Sequence, residues 1–76
     1  MISEIEGLFN DLKERQNGEV LRTGRRLISQ LTSDDVLQPN DFPELENDPH
    51  FRYEEGVLSG ILIAEAALRA YFKDRV

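Results

Sequence analysis

Two carboxylates stand on what is otherwise an apolar helix face. Glu65 falls inside the stripe that Leu58, Ile61, Leu68 and Phe72 make at ~100° per residue, and Glu54, three turns earlier, points the same way. A carboxylate in that position has to be protonated, paired or within reach of water. Arg26 is placed in the same manner within the stripe of Val20, Leu27 and Leu31. A hairpin closing with Thr32 opposite Pro49 brings Arg26 beside Glu54 or Glu55, and Arg15 or Gln16 beside Glu65. Arg26, Glu54 and Glu65 are therefore the candidate buried polar pairs, and their expected work is to fix register. The alternative chemistry is a small-molecule or metal-binding bundle that uses Glu54 and Glu65. A dinuclear carboxylate centre of the bundle type also needs Glu-x-x-His pairs, and that spacing is absent.

Other reactive groups are sparse. His50 is the only histidine and sits at a helix start, where the dipole disfavours its charged form. The chain has no cysteine, which removes disulfides and thiolate metal sites. Ser3, Ser29, Ser33 and Ser59 have no G-x-S-x-G elbow and no His-Asp companions. The expectation is a protein that is not an enzyme and needs no cofactor or metal. Arg22, Arg25 and Arg26 spread around a helix rather than forming one patch, so a solvated or acid-paired face is the better reading. Nine basic and fifteen acidic residues, net −6, oppose direct nucleic-acid binding. They leave open an acidic mimic of nucleic acid that binds a basic protein.

These residues are positioned by two long helical segments. Ser3 and Glu6 form an S-x-x-E capping pattern ahead of Ile5, Leu8, Phe9 and Leu12 at helical spacing. Val20, Leu27, Ile28 and Leu31 continue it, with the stripe slipped by about a quarter turn across Asn17-Gly18. Either one helix bends there or two helices meet. The continuous form over about 3–31 is expected, because an interior glycine costs only ~1 kcal/mol. No heptad sustained over several turns is read from the sequence. Residues 32–48 hold two asparagines, two of the three prolines and six acidic side chains with no basic one, and form an acidic connector with Pro49 just beyond it. Asp48-Pro49 reads as an N-cap followed by proline at the first helical position. The last helix then covers about 49–74.

That last helix carries more apolar surface than a short hairpin can cover. VLSGILIAEAALRAYF, residues 57–72, has the Leu58/Phe72 stripe and beside it a flatter one of Gly56, Gly60, Ala64 and Ala67, carried round by Ile63. Tyr53 and Tyr71 flank it, as suits an interface rim. Tyr53, Gly56, Gly60, Ile63, Ala64, Ala67 and Tyr71 are the candidate interface. Val36, Leu37, Phe42 and Leu45 of the connector either fold back to cap the hairpin or form an acidic-hydrophobic docking segment. The predicted architecture is all-α, one domain over 1–76: an antiparallel helical hairpin that associates into a dimeric four-helix bundle. The expected function is a non-enzymatic protein–protein interaction module, a small homodimeric adaptor, chaperone-like protein or regulatory subunit, with room for a further protein partner. The apolar run near Ile61 is short of the ~20 residues a bilayer requires, and no charged n-region precedes an apolar start. A cytoplasmic protein that meets no membrane is expected.

Overall fold

The computed structural model describes residues 2–75, with side chains through Lys73. Helix α1 spans Ile2–Arg25, two 3-10 turns follow at Asp35–Leu37 and Pro39–Asp41, a single-turn α2 at Pro43–Glu46 comes next, and α3 runs over Pro49–Arg75. No strand occurs among the described residues. α1 and α3 pack along each other as a hairpin in a rod of 45 × 18 × 17 Å.

α1 begins at Ile2, so Ser3 lies within its first turn rather than at a cap. It passes through Asn17-Gly18 without a break. The reason lies in its covered face. Ile2, Ile5, Phe9, Leu12, Gln16, Glu19 and Thr23 are each at least half-buried, at alternating steps of three and four. α3 does the same with Phe51, Glu54, Leu58, Ile61, Glu65, Leu68 and Phe72. This is the seven-residue repeat of two helices winding around each other. Five polar residues occupy its positions, so apolar residues alone do not reveal it. Asn17 and Gly18 point to solvent.

α1 ends at Arg25 rather than near Leu31, and Gly24 is the cause. The chain turns back so that Leu31 lies over Gly24, where a Cβ would come within 2.5 Å of Leu31 Cδ2 and 3.3 Å of Phe51 Cε1. Backbone bonds in the turn reach the helix's terminal carbonyls at Thr23 and Gly24, and a side-chain bond holds the returning chain. Leu27 and Ile28 N–H donate to Gly24 O at 3.0 and 2.9 Å, and Arg25 Nε donates to Leu31 O at 2.8 Å. Leu27 is left exposed. Next, Thr32 and Asp35 cap reciprocally: Thr32 N–H donates to Asp35 Oδ2 at 3.0 Å, and Asp35 N–H to Thr32 Oγ1 at 3.2 Å. α3 starts as its sequence indicates, with Phe51 N–H donating to Asp48 Oδ2 at 2.8 Å and Pro49 at the first position.

The core sits at this end of the rod. Val20, Leu31, Leu45 and Phe51 are buried, with Leu21, Ile28, Val36, Phe42 and Leu58 packed around them. Toward the other end the rod is two helices thick, and Ile5, Phe9, Leu12, Ile61, Leu68 and Phe72 are only half-covered.

Candidate functional site

The largest uncovered feature is the outer face of α3. Tyr53, Gly56, Gly60, Ile63, Ala64, Ala67 and Tyr71 are all exposed, with Tyr53 at 68%, Ile63 at 69% and Tyr71 at 52%. At ~100° per residue they fall within about 100° of one another, turned away from the α1-facing seam. From Tyr53 to Tyr71 that sector is ~27 Å long at 1.5 Å per residue and contains no charged residue. In a chain that is 32% charged, such a strip is conspicuous. A Cβ added at Gly56 or Gly60 would meet nothing within 4 Å, so neither glycine is used for packing within the hairpin. The small residues make a shallow trough with tyrosines at its two ends. Its small, uncharged side chains leave the backbone of α3 open to close approach there.

On the inner face, Glu65 is buried at 6% exposure and lies between two cations. Its Oε1 accepts a hydrogen bond from Lys13 Nζ at 3.1 Å. Its Oε2 lies 3.0 Å from the same ammonium and 3.5 Å from Arg69 Nη2, close enough for ion pairing but out of line for a hydrogen bond. Arg69 also reaches Glu6 at 3.6 Å. The result is a four-member network, Glu6–Arg69–Glu65–Lys13, tying α1 to α3 midway along the rod. Glu65's partner across the hairpin is thus Lys13, not Arg15 or Gln16. Gln16 instead donates to Glu54, to its backbone O at 2.9 Å and more weakly to Oε2 at 3.5 Å. The register is displaced because α1 stops at Arg25 and the connector begins earlier. Arg26 leaves the helical face and is exposed. It still lines one shallow polar cleft of about 180 Å³ with Glu19, Thr23, His50, Tyr53 and Glu54. Lys13 was legible in principle: it lies one turn beyond Phe9 on the covered face. An apolar reading of that face passes over it.

Lys13→Ala is expected to lower stability by about 1–3 kcal/mol, because it leaves Glu65 buried with only the longer Arg69 contact. Lys13→Met combined with Glu65→Leu should recover most of that loss, since an apolar pair needs no partner. Chemical denaturation of the two variants checks this. Equal losses in both would mean that the ion pair is not what the single substitution removes.

The remaining sequence candidates separate. Leu45 is fully buried, and Val36 and Phe42 pack against the core. Leu37 alone of the four is open, at 78% exposure, beside a groove lined by Asn17, Leu21, Ser33, Asp34 and Val36. As a docking segment the connector therefore offers Leu37 and its acidic side chains, not the whole apolar set. Arg22 pairs with Glu19 on the same helix. Among the described residues no group of three or more His, Asp or Glu side chains is placed to hold a metal ion. No helix among them is long and apolar enough to cross a membrane. Comparison with protein-family models, curated proteins and solved structures finds no match to this chain.

Proposed function

We propose that the protein is a non-enzymatic interaction module that acts as a homodimer. Two hairpins associate through the outer faces of α3 into a four-helix bundle, in the role of an adaptor or regulatory subunit. The observation that carries this reading is the uncharged strip from Tyr53 to Tyr71, exposed along its length, with Gly56 and Gly60 unobstructed. A small domain with its one compact core at one end gains from covering such a face. A symmetric pair covers two strips with one contact. Glu65 is held by Lys13 and Arg69 within the hairpin, whereas the Glu54 carboxylate has only a 3.5 Å contact from Gln16.

The test is Gly60→Leu. Within one chain the added side chain meets open space and improves helix propensity, so folding should be unaffected. Between two chains it forces the helices apart. The expected result is single-chain mass by light scattering with helical content unchanged. Retention of a two-chain mass at the same concentrations would place the contact elsewhere.

A further inference from the structure

The charge distribution sets the direction in which two copies pair. Residues 19–55 carry nine acidic and four basic side chains, a net of −5 out of the chain's −6. They form the connector end of the rod: the last turns of α1, the turns, α2 and the start of α3. The other end, residues 1–18 and 56–76, is close to neutral at −1, because Lys13 and Arg15 on α1 and Arg69, Lys73 and Arg75 on α3 offset five of the six acids there. A hairpin is thus electrostatically one-ended.

Building on the homodimer reading above, we infer that the two α3 helices pair antiparallel, about a twofold axis at the level of residue 62, midway between Tyr53 and Tyr71 along the helix. A parallel pair sets −5 beside −5 at one end of the bundle. An antiparallel pair sets each acidic end beside the near-neutral end of the other copy. The connectors, starting ~13 residues from the axis, are then ~40 Å apart along the bundle, far beyond the ~8–10 Å over which exposed charges interact. Antiparallel α3 dipoles add to the same preference. Two pairs of strip residues match that symmetry. Tyr53 and Tyr71 stand nine residues either side of Leu62, and Gly60 and Ala64 two residues either side. An isologous contact then sets Tyr53 of one copy beside Tyr71 of the other at both rims, with small residues facing at the centre. The assembly displays its two acidic connectors, each with an exposed Leu37, at opposite ends.

The absence of native cysteine makes the test direct. Tyr53→Cys and Tyr71→Cys chains are prepared singly and co-expressed, then treated with a thiol crosslinker of about 10 Å reach, well short of the ~27 Å between two copies of either position in the antiparallel pair. Crosslinked dimer is expected only from the co-expressed mixture. Crosslinking of Tyr53→Cys to itself, in a protein of two-chain mass, overturns the antiparallel arrangement and leaves the homodimer standing. A single-chain mass for the unmodified protein, or a two-chain mass with no crosslink in any sample, removes the α3 contact itself. Should the tyrosine substitutions weaken association, Arg52→Cys with Ala70→Cys repeats the experiment from exposed positions on one flank of the strip.

Discussion

Phe51→Ala is expected to destabilise the protein by about 3–5 kcal/mol, the cost of emptying a large, fully buried aromatic site. Among the described residues of α3, Phe51 alone reaches the core with no exposure. Its ring lies over Gly24 between Leu31 and Leu45. It therefore joins the end of α1, the returning chain, α2 and α3 at a single point. A domain of this size has a total stability on the order of 4–11 kcal/mol, so the substitution removes roughly a quarter or more of it. The melting temperature should fall by about 4–8 °C per kcal/mol lost. A loss below 1 kcal/mol in urea unfolding would mean that the connector end is not the seat of the fold's stability.

The same substitution at two glycines of α1 should act in opposite directions. Gly18→Ala meets nothing within 4 Å and should stabilise by up to ~1 kcal/mol through helix propensity. Gly24→Ala puts a methyl 2.5 Å from Leu31 Cδ2 and 3.3 Å from Phe51 Cε1. Leu31 is 1% exposed and Phe51 is fully buried, so neither has free room to retreat. The overpacking should cost about 1–3 kcal/mol and outweigh the propensity gain. Paired thermal melts check the contrast. A stabilising Gly24→Ala would show that the chain's return over α1 is loose enough to absorb a methyl group, against the close packing described.

How far these features were visible beforehand depends on the kind of signal. The hairpin and the start of α3 were legible because Asp48-Pro49 is a local signal and the proline and acidic run of the connector interrupts both helices. The end of α1 was not. Leu27, Ile28 and Leu31 continue a helical spacing, and only the packing of Leu31 and Phe51 on Gly24 makes turning back better than continuing. A propensity argument cannot weigh that contact. At Asn17-Gly18 the expected continuous form holds: α1 runs through the pair, which the covered face carries on its solvent side. The buried polar residues were half legible. Glu65 was marked by its place in an apolar stripe, but its partner Lys13 depends on a register set by the unforeseen helix end. The strip on α3 was the most legible feature, since an uncharged face in a highly charged chain needs no tertiary knowledge to be seen.

The account rests on that strip being covered by a second copy. The most direct measurement is absolute mass by light scattering during size-exclusion chromatography of the unmodified protein over a wide concentration series. The expected result is twice 8.7 kDa, unchanged on dilution. A folded species of one chain's mass at every concentration would contradict it, and would leave the face from Tyr53 to Tyr71 open to solvent in the free protein.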